Sequence, residues 1–250
     1  VEAVVPAPEV SFVELFNFRD LGGHVGIDGR TVRWRRLFRS DSLHRLSGTD
    51  RAAFTALGVR TVIDLRRPAE VARDGRVPDG PGLGYHHIHP EHAEWRETGF
   101  TTGQDLERWL ADRYLDLAAE GAVGLAAAVG LIADERSAPV VVHCVAGKDR
   151  TGVVCALTLS LLGVPEADIA ADYARSTVGS SRFTEWLRRT DPTAADLPAP
   201  YLASPAGAML RFLAGLRDRY GSVSGYLTGA GLAGEQVDAL RRHLLTPAGS

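Results

Sequence analysis

Along the chain, short apolar runs bounded by turn residues alternate with longer stretches of helical period, and each kind of stretch predicts its own element. Val59 to Leu65, Tyr85 to His89 and Val140 to His143 are short and rich in β-branched or aromatic residues, so each predicts a strand. Residues 24 to 38 alternate around Asp28-Gly29, a hairpin signal. Ser47 starts a short helix that Gly58 ends. Leu106 to Ala119 carries Leu106, Trp109, Leu110 and Tyr114 on one face, and Val123 to Ala133 is a second apolar helix. Val153 onward predicts another, and the Val164-Pro165-Glu166 turn opens one with Ile169 and Tyr173 inward. Ser204-Pro205 starts a helix around Met209, Phe212, Leu213 and Leu216, and Val237, Leu240 and Leu244 mark a packing helix near the end. Strands alternating with helices predict an α/β fold, with a central, mainly parallel sheet between helical layers. At 250 residues and 45% hydrophobic, the chain can bury one substantial core, so residues 1–250 are expected to form a single domain.

The junction between the Val140 strand and the Val153 helix carries the chemistry. It reads His143-Cys144-Val145-Ala146-Gly147-Lys148-Asp149-Arg150-Thr151-Gly152, with five residues between the cysteine and the arginine. Backbone N–H groups at a helix start are unpaired and the helix dipole is positive there, so an anion settles and a thiol ionises more easily. Cys144 is therefore a candidate nucleophile. Arg150 supplies a planar fork able to take two oxygens of a phosphoryl group. Gly147 lets the loop turn inward, and the amides of Val145, Ala146, Gly147, Lys148, Asp149 and Arg150 would face a phosphate if the loop wraps as a nest. Thr151 can place a hydroxyl near the Cys144 sulfur. Singly, a cysteine after a hydrophobic strand is a core residue and an arginine at a helix start is solvated; the joint pattern is what points to a phosphate loop.

His143 to Gly152 resembles, at every fixed position, the His-Cys-x-x-Gly-Lys-x-Arg-Thr-Gly signature of the protein tyrosine phosphatase superfamily. Asn17-Phe18-Arg19-Asp20-Leu21-Gly22-Gly23, Leu37-Phe38-Arg39-Ser40-Asp41 and Thr61-Val62-Ile63-Asp64-Leu65-Arg66 resemble its bacterial atypical dual-specificity and lipid phosphatase branch. The resemblance implies the tyrosine phosphatase three-layer sandwich and a metal-independent, two-step phosphomonoester hydrolase passing through a phosphocysteine intermediate. A rhodanese-like sulfurtransferase is the nearest enzyme rival, and the Gly-Lys-Asp-Arg-Thr-Gly half argues against it.

In most relatives the general acid sits on a separate loop some thirty residues before the cysteine. Here that region has helical period, so Asp105 and Asp112 look like helix-surface charges. Asp149, inside the loop, is the better candidate for the acid, and proteins similar to this one have an aspartate at that position. Lys148 adds a second positive charge by the phosphate pocket, and phosphoinositide phosphatases use a lysine at the matching position. The expected substrates are therefore phosphotyrosine proteins and, through Lys148, phosphoinositides. His143 supports the loop; Asp64, at a strand end, lines the site or orients Arg66 or Arg150. Residues 176 to 206 are less regular than their neighbours, and the resemblance implies a helical lid there, with Phe183, Trp186 and Leu187 shielding the thiolate.

Composition narrows the field. A net charge of −3 gives no basic footprint for nucleic acid. No run approaches the roughly eighteen apolar residues a membrane span needs. Val1 to Pro6 lacks a secretory signal, though a segment already removed leaves no trace, so cytoplasmic and secreted locations both stay open. Two cysteines, Cys144 and Cys155, argue against a disulfide scaffold, and Cys155 reads as core packing. His86, His87, His89, Glu91 and His92 crowd together, but strand alternation splits them, and no metal site or cofactor is expected. The alternative from another class is a catalytically silent module that binds phosphorylated partners; it predicts a broken nucleophile, whereas Cys144, Arg150 and Thr151 are all present.

Overall fold

The computed structural model describes residues 11–93, 99–190 and 199–247, without the side chains of residues 199 and 200. Five strands, β1 (Arg19–Asp20), β2 (Leu37–Ser40), β3 (Thr61–Asp64), β4 (Gly84–His87) and β5 (Val140–His143), form one sheet in the order β1-β2-β5-β3-β4. Only β1 runs antiparallel to its neighbour. The most uniformly apolar strand, Val140-Val141-Val142, takes the middle position, where both faces are covered and neither side chain row can be polar.

Alternation along the strands divides the core in two. Phe38, Val62 and Val141 face a thin layer built from α1 (Gly48–Ala56) and the segment around Phe12 and Leu15. Leu37, Ile63, Val140 and Val142 face the thicker one. That layer contains α3 (Leu106–Glu120), α4 (Ala122–Ala133), α5 (Asp149–Leu161), α6 (Glu166–Ala174), α9 (Ala206–Tyr220), α10 (Val223–Gly229) and α11 (Gly234–Leu244). The sheet is thus mainly parallel and flanked by helices on both faces.

Several elements differ in extent from the pattern-based expectation. Asp28 and Gly29 both take positive φ, 56° and 69°, as a tight hairpin turn requires, and the two arms are joined by a Val25–Thr31 bridge and by backbone hydrogen bonds of Val32 with Gly23 and His24. The returning arm also pairs with Leu245, through Val32. α5 begins at Asp149 rather than Val153, which puts Asp149 and Arg150 in its first turn. The amphipathic piece around Phe183 is a full helix, α7 (Ser176–Thr190). α8 (Ala199–Leu202) follows, and the Asp-Pro connection of residues 191–198 lies outside the described residues. Among the described residues no single helix is long and apolar enough to cross a membrane.

Candidate active site

The register of the central strands fixes where the site must be. Ser40, His143 and Asp64 lie side by side at the carboxyl ends of β2, β5 and β3, so Cys144 leaves the sheet between two neighbours. It is buried, with 2% of its surface exposed. The loop then turns at Gly147, whose φ of +64° and closeness to the Ser40 carbonyl leave no room for a Cβ.

Three successive carbonyls of the loop are bound by groups from outside it. Asn17 Nδ2 donates to the carbonyls of Ala146 (2.9 Å) and Gly147 (3.0 Å), Arg39 Nη2 donates to Gly147 (2.7 Å), and the Ser42 amide donates to Val145 (3.0 Å). A trans peptide points its N–H opposite its C=O, so the amides that follow these carbonyls face the other way, as an anion nest requires. Behind the loop the buried carboxylate of Asp172 on α6 joins two buried guanidiniums, Arg19 Nε and Arg39 Nη1, each at 2.6 Å. Burial opposes its charge, yet the two arginines hold the Asp172 carboxyl far below the usual range. Two cations against one anion leave a net positive charge beneath the loop. Arg19 also donates to Asn17 Oδ1, which orients the amide that grips the loop.

Arg150 is fixed from the opposite side. Its Nη1 and Nη2 meet Glu70 Oε2 and Oε1 at 2.7 and 3.1 Å, and Nη1 also donates to the Leu65 carbonyl at 3.1 Å. Nε–H and the second N–H of Nη2 are the donors this arrangement leaves for a phosphate. Burial opposes the Glu70 charge, and the Arg150 hydrogen bonds outweigh it, so its carboxyl sits below the usual range. Glu70 belongs to α2 (Pro68–Asp74), where it also accepts from the Arg67 amide at 2.7 Å. Proline at the first helical position and glutamate at the third are a helix-start signal, and that was the only trace of Glu70 in the sequence.

The remaining predicted residues divide by what they touch. Asp149 Oδ1 accepts from the Tyr114 hydroxyl at 2.7 Å and lies 3.4 Å from Lys148 Nζ. Lys148 is buried, and its ammonium donates to the carbonyls of Tyr201 (2.8 Å) and Ala203 (2.9 Å), at the end of α8 and just before α9. It therefore neither points to solvent nor is free above the loop. Thr151 Oγ1 is buried without a partner among the described residues. Asp64 orients Arg66, not Arg150: it pairs with Arg66 at 2.7 Å and accepts from Tyr85 at 2.9 Å. Burial disfavours its charge, but the Arg66 hydrogen bonds and His143 bring its carboxyl down to about 2. His143, wholly buried with Nε2 3.5 Å from Asp64, is pushed down to about 4, first by burial. Asp105 is the N-cap of α3, accepting from the Glu107 and Arg108 amides. Cys155 is core, its thiol pushed up to about 11 by burial. His89 shares the Leu65 carbonyl with Arg150, which places the loop after β4 beside the arginine. On α7, Phe183 and Trp186 pack on Phe16 and flank the Arg45 guanidinium, next to the Asn17 segment.

A tyrosine phosphatase family model matches residues 10–246, nearly the whole chain. The chain belongs to the tyrosine phosphatase family. Among relatives of this phosphatase, the triple specificity protein phosphatase PtpB of Mycobacterium tuberculosis is 33% identical over 275 residues, covering 92% of this chain and 96% of the relative. A tyrosine-protein phosphatase of Nostoc commune is 30% identical, covering 82% of this chain and 73% of the relative. Membership makes the chain a tyrosine or dual-specificity phosphatase by class.

Two outcomes follow from the geometry of this phosphatase. Asp172→Ala leaves two buried guanidiniums facing each other, and should cost about 3–5 kcal/mol of stability, read by urea denaturation. A loss under about 1 kcal/mol would show that the cluster is not the loop's brace. His143 is neutral when folded and protonates more readily when unfolded, so its contribution is complete above about pH 6.5 and is lost as pH falls toward about 4, on the order of 3 kcal/mol at most. The gap in melting temperature between the protein and His143→Gln should narrow over that window; a constant gap contradicts it.

Proposed function

We propose that this phosphatase hydrolyses phosphomonoesters through a phosphocysteine intermediate, taking phosphotyrosine proteins and, as a further class, phosphoinositides. The observation that carries the proposal is the Cys144 loop, its carbonyls engaged outside by Asn17, Arg39 and Ser42, with Arg150 held by Glu70 at the start of α5. The amides and Arg150 bind the three non-bridging oxygens and stabilise the charge that gathers on them during transfer. The Cys144 thiolate attacks phosphorus, and the bond to the ester oxygen breaks with its electron pair going to that oxygen. Asp149 then supplies the proton, so the alcohol or phenol leaves neutral. In the second step water attacks phosphorus, gives a proton to the Asp149 carboxylate, and the P–S electron pair returns to sulfur. Thr151, whose hydroxyl has no partner among the described residues, is available to the sulfur as that charge returns. A cysteine nucleophile and an arginine together supply what a metal pair supplies elsewhere, so the reaction is expected to need none.

The phosphoinositide class rests on Lys148. Its ammonium is held by two neutral carbonyls, with the Asp149 carboxylate farther off at 3.4 Å, and a dianionic phosphate carries more charge than any of these, so a second phosphate on a ring can draw it away from Tyr201 and Ala203. The same bonds tie α8 and the residue after it, within the proposed lid, to the loop, while α7 packs at Phe16 and Arg45.

The test is phosphate release in EDTA from a phosphotyrosine peptide, a phosphoserine peptide and a panel of phosphoinositides. Turnover should survive the chelator, be blocked by vanadate and vanish in Cys144→Ser. No turnover with vanadate binding retained would instead establish the silent phosphate-binding module. Lys148→Ala should lower kcat/KM for phosphoinositides about tenfold more than for the peptide, one charge-assisted contact's worth; equal losses would remove the lipid class.

A further inference from the structure

Asp149 does not stand alone on the edge of the loop. Tyr114 from α3 reaches it from within the core, Oη to Oδ1 at 2.7 Å, and Tyr173 from α6 stands behind, Oη to Oη at 2.5 Å. Both tyrosines are buried, with 0% and 1% of their surfaces exposed, whereas the Asp149 side chain retains 22%. Burial pushes both phenols well above their ordinary range, so each keeps its hydrogen. Tyr114 has one hydrogen to give and Asp149 takes it, so the Tyr114 oxygen accepts from Tyr173. The result is a chain with one direction, Tyr173 to Tyr114 to Asp149. Edge-on contacts of Tyr114 with Tyr173 (5.9 Å, 84°) and Phe212 (6.0 Å, 88°) hold the ring in place.

Two hydroxyls in an apolar core are costly unless they bond, and a pair of phenylalanines would fill the same space without that cost. The carboxylate this pair serves is the one in the phosphate loop. We propose that Tyr114, backed by Tyr173, is a positioning residue for the reaction: it occupies Oδ1, so that the acidic proton rides on Oδ2 and the carboxyl keeps one orientation toward the leaving oxygen. Lys148 Nζ, 3.4 Å from Oδ1 and itself tied to two carbonyls, lies on the same oxygen, so both neighbouring donors converge on Oδ1 and leave Oδ2 to the substrate side. The positioning role rests on Asp149 being the general acid.

The two can fail separately. kcat/KM is measured for p-nitrophenyl phosphate, whose leaving group needs little protonation, and for phenyl phosphate, whose leaving group needs it. In Asp149→Asn the ratio between the two substrates should rise about a hundredfold, the scale of lost general acid catalysis. Tyr114→Phe should raise it about tenfold and Tyr173→Phe about threefold, while inhibition by inorganic phosphate, which has no leaving group, stays within about twofold. A flat ratio in Asp149→Asn overturns the acid assignment and the positioning role with it. A steep response there, with equal loss on both substrates in Tyr114→Phe, overturns the positioning role alone. Tyr173 reaches Asp149 only through Tyr114, so if Tyr114→Phe does not fold, a flat ratio in Tyr173→Phe overturns the positioning role in its place.

Discussion

A loop that offers its amides to an anion has to dispose of its carbonyls, and in this protein the rest of the site depends on how that is done. Asn17 and Arg39 grip the carbonyls of Ala146 and Gly147, and neither could do so unless it were itself held. Asp172 holds them, through Arg39 directly and through Arg19 to Asn17. One carboxylate from α6 thus joins three segments far apart in the chain: the start of β1, the end of β2 and the phosphate loop. A buried ion pair seldom adds net stability once desolvation is counted. What it supplies here is a single conformation of a loop whose glycine would otherwise let it sample others, together with an uncompensated positive charge beneath the loop.

The two arginines that matter most are held in different ways, and the difference follows from their tasks. Arg39 is fully enclosed and points at the protein's own backbone, so its charge can be committed to Asp172 and Gly147. Arg150 has to keep donors for a ligand. Glu70 takes it end-on, at Nη1 and Nη2, and Leu65 takes one more hydrogen, which fixes the plane of the guanidinium while leaving the Nε edge for a ligand. A lysine has no plane to fix, so the same glutamate would neutralise it without aiming it. The conjunction of Glu70 and Arg150 therefore requires a planar cation.

How much of this could be read from the chain depends on whether a feature is local. Strand β5, the loop and the helix start at Asp149 follow one another in sequence, so the residues proposed to touch phosphorus and its oxygens were legible as a block. The alternation that divides the core was legible for the same reason. Asp172 and Glu70 were not, because a carboxylate on a helix looks like surface until tertiary packing brings an arginine to it. Glu70 carried at least a helix-start signal; Asp172, four residues from Asp168, had nothing to separate the buried one from the exposed one but its phase against Ile169 and Tyr173. Tyr114 and Tyr173 were assigned correctly to the core by their periodicity, yet periodicity is blind to a hydroxyl. Lys148 shows the opposite limit: its place in the loop was certain, but the direction of a long side chain was set by Tyr201 and Ala203, more than fifty residues on.

Placing the proposed acid, Asp149, within the loop has a mechanical consequence. Cys144, Arg150 and Asp149 all hang on one short stretch at the start of α5, so none can be brought up or withdrawn without the others. An acid on a separate loop can wait until substrate is bound; an acid on the helix that carries the arginine must be correctly aimed beforehand, since no later motion will aim it. That demand accounts for the density of buried polar contacts around the start of α5, with Asp172 and Asn17 below the loop, Glu70 beside the arginine, and the tyrosines behind the carboxyl. Whatever flexibility substrate entry needs is then displaced to elements that carry none of the reacting atoms. Lys148 is where the two parts meet, because its backbone begins α5 while its ammonium holds the chain between α8 and α9. A phosphate that drew this ammonium inward, as the proposed phosphoinositide reading requires, would release that connection by the same motion, so the loop and the chain at Tyr201 and Ala203 are joined through one side chain.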